Sequence, residues 1–430
     1  MTLNQEIVKE MKESITERQK HFDGLHDCSP EEYRKILTSP EFEGLPFARS
    51  YFHMHTDKGS PKDASLTTKQ YVKRAAEYGA RVLTVTDHGS MYGIPFLEDS
   101  MAKFFDKRKN NGNDLFQKQY IGVGCEFYVC EDINVPHTDR RHLIMYALDD
   151  AGYETLCRLV TESNYRIATS RGGLTYPCIN KELLLRYVSR GSIGHGHVIL
   201  TSACIGGVIA AIAFQNENNQ AEMEATGKAI MDLQASVMIY KREHPEANGQ
   251  SIITDPGTGK VITIKDAEEK INQLTEKLNF LTQIAFDPSE MKNIFTQEVR
   301  WYDELAGHGN WYIEMQNHGI STEQIYMPML AQIAHEQNIP LVAANDCHML
   351  NKEDAEVRAY LNAMRFGGQW KGMKQGDDQL YMKTDRELFQ WLRMILSEDD
   401  AFAAMMGRDE IARRMTFVMK KANHYPKYYE

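Results

Sequence analysis

The chain has 430 residues, is 42% hydrophobic and carries a formal net charge of −11, so it can bury a large core and hold one big α/β domain with additions. That acidity argues against a broad electrostatic coat on nucleic acid, while leaving room for a locally basic, metal-bearing cleft that takes a phosphodiester. No apolar run reaches the length of a membrane span and the start Met1-Thr2-Leu3-Asn4-Gln5 is not a signal peptide, so the reading is a soluble, cytoplasmic protein with no membrane partner.

Residues 1–47 read as a helical N-terminal extension, with Ile7, Met11 and Ile15 at helical spacing and a second helix opening after Ser29-Pro30-Glu31-Glu32. From residue 48 to about 365 the pattern becomes strand, turn, helix, as in the helix from Thr68 through Ala76, stopped at Gly79, and the strand Arg81 to Thr86. Strands separated by helices call for a parallel sheet. Metal-ligand residue types recur where these strands run out or begin. His53 and His55 lie two apart, so a strand would present both imidazoles on one face. His88 follows Val82 to Val85, Glu126 follows Tyr120 to Val123, and His142 opens Leu143 to Ala147. Cys204 follows His197 to Thr201, and Asp346 and His348 follow Pro340 to Ala344. A lone pair of histidines is most often a solvated or satisfied pair, but donors at the ends of several strands favour a closed barrel, where strand ends converge on one mouth.

Residues 217–300 interrupt the rhythm. Met223, Thr226, Ile230, Leu233, Val237 and Tyr240 step by three and four, and so do Ala267, Ile271, Leu274, Leu278, Leu281 and Ala285. Between them Ile252 to Thr254 and Val261 to Ile264 flank an Asp255-Pro256-Gly257-Thr258-Gly259 turn and read as a β-hairpin. Two arrangements fit: an antiparallel coiled arm with a hairpin tip, or a helical pair lying flat on the barrel. Residues 366–430 read as a helical C-terminal segment, with helices at 353–364 and 385–421 joined by Phe366 to Asp378, and a linker-like ending from His424. The seven cysteines are odd in number and scattered, which is no disulfide framework.

The stretches FHMHTDKGSPKDAS, LTVTDHGSMYG, IGVGCEFYV, HLIMYALDDAGYETL, ILTSACIGG, WYIEMQNHG, PLVAANDCHMLNKEDA and LYMKTDRELF resemble the polymerase and histidinol phosphatase (PHP) family. Within it they are similar to the N-terminal domain of bacterial replicative polymerase alpha subunits. The resemblance implies a distorted (β/α)7 TIM-like barrel whose mouth holds a cluster of metal ions. Carried over by motif, the ligands are His53, His55, Asp63, His88, Glu126, His142, Cys204, Asp346 and His348, with Asp57 competing for the place of Asp63. Of these, His53, His55, His88, Asp346 and His348 are expected to carry catalysis. Asp87 is expected to orient a ligand imidazole, and Arg140 and Arg141 to hold a substrate phosphate or to be a solvated basic pair. His195 and His197 precede their strand and read as surface or core residues. His318 is a candidate for a further ligand, and Cys347 should point away from the metal.

Mixed imidazole, carboxylate and thiolate donors suit two to three divalent transition-metal ions, zinc, manganese or iron, better than magnesium. The expected activity is metal-dependent phosphoester hydrolysis, most plausibly a 3′→5′ exonuclease acting on a single-stranded or primer 3′ end of DNA. Two other readings stand beside it. One is a metal-stabilised module that docks replisome proteins or a separately encoded polymerase portion, and the other is a small-molecule phosphatase of the histidinol phosphate type. No paired-aspartate polymerase site is found, so this chain alone is not expected to synthesise DNA.

Overall fold

The computed structural model describes residues 24–109, 120–133, 140–165, 167–169, 175–284, 290–365 and 372–419. The expected helix over Ile7 to Ile15, seam position Ala285, part of the 366–378 connection and the ending from His424 lie outside those residues. In chain order the elements are α1 (Pro30–Thr38), β1 (Ser50–Tyr51), α2 (Thr68–Glu77), β2 (Val82–Val85), α3 (Gly93–Lys109), β3 (Tyr120–Val129), β4 (Arg141–Ala147), α4 (Asp150–Tyr165), β5 (Ile167–Thr169), β6 (Thr175–Ile179), α5 (Lys181–Val188) and β7 (Val198–Thr201). They continue with α6 (Ala210–Glu243), β8 (Ile252–Thr254), β9 (Val261–Thr263), α7 (Ile264–Ile284), α8 (Met291–Ala306), β10 (Trp311–Met315), α9 (Ser321–Gln337), β11 (Leu341–Ala343), α10 (Ala355–Arg365), α11 (Asp385–Leu392) and α12 (Glu398–Arg414). Local chemistry sets the helix starts: Ser29 and Glu32 exchange side-chain and backbone hydrogen bonds in a capping box that opens α1, and Thr67 and Gln70 do the same for α2.

The chain divides into two compact units, residues 211–294 and the remainder. In the larger unit the strands follow the order β1-β2-β3-β4-β7-β10-β11. The two ends of that path meet in one parallel bridge, Met54 to Cys347, where Cys347 N–H donates to His53 O (3.0 Å) and His55 N–H to Cys347 O (2.9 Å). The fold is therefore the expected distorted α/β barrel, with departures from an all-parallel sheet: β5 pairs antiparallel with β6 off the main path, and β4 is reversed within it. β4 runs antiparallel to both β3 and β7, because only residues 130–140 separate it from β3, fewer than the dozen or more that a parallel crossover needs. The reversal brings the start of β4 to the mouth where the other strands end. It explains why His142 stands at the start of a strand while His53, His88, Cys204 and Asp346 follow theirs.

The C-terminal helices belong to the barrel. Ile411 and Met415 share one buried cluster with Phe52, Ile144, Ile199, Tyr312 and Val342. Gly407 makes the close approach possible, since a Cβ there would fall 2.0 Å from Leu341 O. The expected single helix over 385–421 is two, α11 and α12, broken before Ser397, whose hydroxyl accepts from Asp400 N–H to start α12. A buried carboxylate fastens the ends of the unit: Asp385 accepts from Tyr33 Oη (2.7 Å), Arg49 N–H (2.8 Å) and Arg408 Nη1 (2.8 Å). Removing one member of such a buried charged set costs about 3–5 kcal/mol. The segment 385–414 therefore packs into the barrel core.

In the smaller unit, α6 and α7 run antiparallel, tied by Lys241 to Glu268 (2.8 Å) and Lys277 to Glu222 (2.6 Å). Leu233, Val237, Ile253, Ile264 and Ala267 form its core beside the β8–β9 hairpin. Asp255 holds the hairpin turn by accepting from Gly257 N–H (2.9 Å) and Thr258 Oγ1 (2.8 Å). The boundary differs from the expected 217–300, because α8 runs across 294 into the larger unit.

Candidate metal centre

The donors converge at the barrel mouth on Glu126, a fully buried residue of β3. Its Oε1 lies 3.4 Å from His53 Nε2 and 2.8 Å from His142 Nδ1, and its Oε2 lies 3.5 Å from His55 Nε2 and 2.5 Å from His88 Nδ1. Asp346 Oδ1 sits 3.0 Å from His53 Nε2 and 3.2 Å from His55 Nε2. Asp63 Oδ2 is 3.4 Å from His88 Nε2, and Cys204 Sγ is 3.6 Å from His142 Nδ1. The His348 ring stacks on that of His55 with centroids 4.2 Å apart. Every carried-over ligand position is thus present in one cluster. Three linked groupings each bring donor atoms within 4.8 Å of one another: His55, His88 and His348; His53, His55 and Asp346; His88, Glu126 and His142.

These donors fit a metal centre because of what they fail to do for one another. His53 Nε2, His55 Nε2, His88 Nδ1, both oxygens of Glu126 and Asp346 Oδ1 are buried, yet make no hydrogen bond of acceptable geometry among the described residues. Buried polar atoms left in that state cost free energy, and a cation satisfies several of them at once. Charge is shared strongly across the cluster. Burial pulls the His53 imidazole down, but Glu314 and Asp346 outweigh it and hold it well above its ordinary value. His88 is likewise carried up against burial by Tyr128, Glu126 and Asp63. Burial would raise Glu126 and Asp346, whereas the neighbouring imidazoles, His142 and His88 for one and His53 and His348 for the other, hold both well below the usual carboxylate range. Burial, with help from Asp346 and Glu126, keeps the Cys204 thiol well above its ordinary value. A cation would reverse that sign, since coordination deprotonates a thiol.

The local backbone does more than the strand periodicity anticipated. β1 ends at Tyr51, so strand alternation does not align His53 with His55. His53 instead has φ 54° and Asp346 φ 46°, left-handed values that cost a non-glycine residue about 1–3 kcal/mol. The two kinks face each other across the Met54 to Cys347 bridge that closes the barrel. Strain is thus placed at two of the donors.

Asp87 touches no imidazole directly. It accepts from Thr56 N–H (2.7 Å), Thr56 Oγ1 (2.9 Å) and Ser60 Oγ (2.9 Å), and Ser60 Oγ in turn accepts from His55 Nδ1 (3.1 Å). Its orienting action passes through Ser60. Asp57 is partly exposed and pairs with Lys58 at 2.9 Å, so it takes no part in the cluster and Asp63 does. His318 is already engaged by Glu323 Oε1 (2.6 Å) and Asn345 O (3.2 Å), and Cys347 Sγ–H points to Tyr381 O (3.2 Å). His197 pairs with Asp149 at 2.6 Å and His195 with Val188 O at 3.3 Å, both remote from the donors.

Arg140 stacks 3.5 Å over the Tyr176 ring, and its Nη1 has no hydrogen-bond partner among the described residues. Arg141 precedes His142 in β4, and alternation turns it to the opposite face, so the expected arginine pair is split. Beside the donors opens a pocket of about 250 Å³ lined by Lys62, Asp63, His88, Tyr128, Tyr176 and Pro177.

Sequence reasoning passed over Glu314. Its Oε1 lies 2.5 Å from His53 Nδ1, and its other oxygen accepts from Thr201 Oγ1 at 2.6 Å. The available signal was an acidic residue in the middle of the apolar strand Trp311 to Met315.

Residues 52–239 match the family model described as the PHP domain. Over those residues the chain is similar to a PHP domain. It is 22% identical over 345 residues to the DNA polymerase III subunit alpha of Borreliella burgdorferi, covering 79% of this chain and 21% of that protein. With the same subunit of Aquifex aeolicus it shares 22% over 390 residues, covering 86% of this chain and 25% of that protein. The chain thus spans between a fifth and a quarter of the length of these relatives. A solved amidohydrolase of Chromobacterium violaceum is 14% identical, with 70% of this chain and 88% of that one covered, at a TM-score of 0.29, too slight a likeness to carry weight here. No helix among the described residues is long and apolar enough to cross a membrane.

Proposed function

We propose that the chain is a metal-dependent phosphoesterase acting on nucleic acid, as a 3′→5′ exonuclease on a single-stranded or primer 3′ end. The observation that carries the reading is the buried Glu126 carboxylate, met by four imidazoles, with both its oxygens and the facing nitrogens of His53, His55 and His88 making no hydrogen bond of acceptable geometry among the described residues. Such a set is costly without cations and serves no evident purpose in a barrel that could have closed on apolar residues. His53, His55, Asp63, His88, Glu126, His142, Cys204, Asp346 and His348 would hold two to three divalent ions, zinc, manganese or iron. Bound there, the ions would supply Lewis acidity at a phosphoryl oxygen and a lowered pKa for water.

The chain's own residues supply the rest. Glu314 fixes the His53 ring through a 2.5 Å contact, and Ser60, held by Asp87, fixes that of His55. Arg140, stacked on the Tyr176 ring that lines the pocket, has a guanidinium N–H without a hydrogen-bond partner among the described residues, suited to a phosphate oxygen. At about 250 Å³ the pocket lies just below the roughly 300–1,000 Å³ usual for ligand sites, a size for a single nucleotide unit. That favours an unpaired terminus. Similarity to polymerase alpha subunits supports DNA as the substrate and replisome proteins, or a separately encoded polymerase portion, as partners.

The test uses protein loaded with zinc, manganese or iron and offered 5′-labelled single strands and mismatched primers. Stepwise shortening from the 3′ end that chelator abolishes and Asp346→Asn removes is the expected result. Shortening that persists in Asp346→Asn would place the active centre elsewhere. Loaded protein that leaves every strand intact would favour a metal-stabilised docking module.

A further inference from the structure

An exposed aromatic ring stands at the barrel mouth and takes no part in the donor cluster. Tyr92 lies on the loop between β2 and α3, four residues after His88, and is 63% exposed. Its ring packs against Phe96 with centroids 5.3 Å apart, and Lys58 Nζ stands 5.7 Å over the Phe96 ring. Lys58 opens the loop that continues through Gly59, Ser60 and the exposed Lys62 into the wall of the pocket beside His88 and Asp63. Aromatic surface and cations therefore alternate along one rim that ends at the donors.

The rim is held in place. Asp87 binds Thr56 and Ser60 on the lysine-bearing loop, while Gly93, next to Tyr92, packs so close to the same carboxylate that a Cβ would fall 2.1 Å from Asp87 Oδ2. Tyr92 N–H donates to Ser90 Oγ at 3.0 Å, fixing the turn that presents the ring. Among the described residues the only ion pair of Lys58 is the exposed contact with Asp57 at 2.9 Å, which is worth little and can be exchanged for a phosphate.

We infer that this rim is a subsite for single-stranded nucleic acid. The terminal nucleotide occupies the pocket, the phosphates behind it pass Lys62 and Lys58, and a base further along the strand stacks on Tyr92. A single strand is the occupant that matches both features, because its phosphates complement the two lysines and any base offers a face to the ring. Local positive charge at this rim also reconciles nucleic-acid binding with a chain of net charge −11. The inference rests on the phosphodiester reading above and extends it to a second contact point that sets strand length.

Two substrates separate the two ideas. The p-nitrophenyl ester of thymidine 5′-monophosphate fills the pocket without reaching Tyr92, and a fluorescent thymidine decamer spans both. Tyr92→Ala should leave turnover of the ester unchanged, raise KM for the decamer roughly tenfold at constant kcat, and weaken decamer binding in anisotropy by the same factor. Tyr92→Phe should retain the parent's values. Replacing Lys58 and Lys62 with Gln should lower the salt dependence of decamer binding by about 0.7 per lysine. Equal decamer affinity in the parent and Tyr92→Ala overturns the subsite even where ester hydrolysis is intact. A parent that hydrolyses neither substrate but binds the decamer through Tyr92 overturns the phosphoesterase reading and supports the subsite.

Discussion

Glu314 and His53 are 261 positions apart and meet at 2.5 Å between Oε1 and Nδ1, both fully buried. The contact leaves His53 Nε2 as the nitrogen aimed at Glu126 and Asp346. A carboxylate behind a ligating imidazole fixes its tautomer and raises its basicity. Glu314→Gln keeps the shape and removes the charge, so metal affinity measured against a competing chelator should fall about 10–100-fold with the circular dichroism spectrum unchanged. Undiminished affinity would mean that Glu314 only fills space.

The linked donor groupings predict that protein purified without chelator carries about two to three transition-metal ions per chain. His88→Ala should lose at least one, because His88 belongs to two of the groupings. Elemental analysis gives the count, and less than one ion per parent chain rules out the centre. A cation competes with protons for His53 and His88, both held above their ordinary values, so loading should release protons into a weakly buffered solution.

Asp346 faces two imidazoles from a left-handed backbone position. Asp346→Asn should reduce phosphoester hydrolysis by roughly two orders of magnitude or more while the thermal transition shifts by only a few degrees. Initial rates on the decamer and a melting curve decide it. An unchanged rate contradicts the assignment.

His26 gives a pH signature far from the metal centre. Its Nε2 lies 2.6 Å from Gly79 O and its ring packs edge-on against Phe47. Burial pulls its pKa down to about 4, although the Gly79 carbonyl pushes the other way. The folded state therefore favours the neutral ring, and the unfolded chain takes up the proton first as pH falls. The contribution is complete above 6.5 and is lost between 6.5 and 4, at most about 3 kcal/mol. His26→Gln should flatten that loss in denaturant titrations run at pH 7 and pH 4.5. A variant as acid-sensitive as the parent refutes the assignment.

Residues 211–294 have their own core around Leu233, Val237, Ile253, Ile264 and Ala267 and contain none of the candidate ligands. Deleting 220–290 and joining the ends with a short Gly/Ser linker should leave metal content and basal hydrolysis near the parent's values. Metal analysis and ester turnover of the deletion protein check this. An unfolded, metal-free product would show that the seams are needed by the barrel.

The sequence by itself determined the donors and the alternation of strands and helices. His53, His88, Glu126, His142, Cys204 and Asp346 could be read because each sits beside a short β-branched or apolar run whose end is marked by local residues. The hairpin at 252–263 was legible for the same reason, as its Asp255 to Gly259 turn makes its own hydrogen bonds. Tertiary structure decided what depends on distant chain. The reversal of β4, which puts His142 at the mouth, is set by pairing with β3 and β7. The alignment of His53 with His55 comes from kinks that close the barrel against Cys347, not from strand alternation. The choice of Glu314 as the partner of His53, and the packing of α12 into the barrel through Gly407, join residues far apart in the chain. No periodicity within one segment encodes such pairings, because burial and charge complementarity act between surfaces that exist only once the chain has folded.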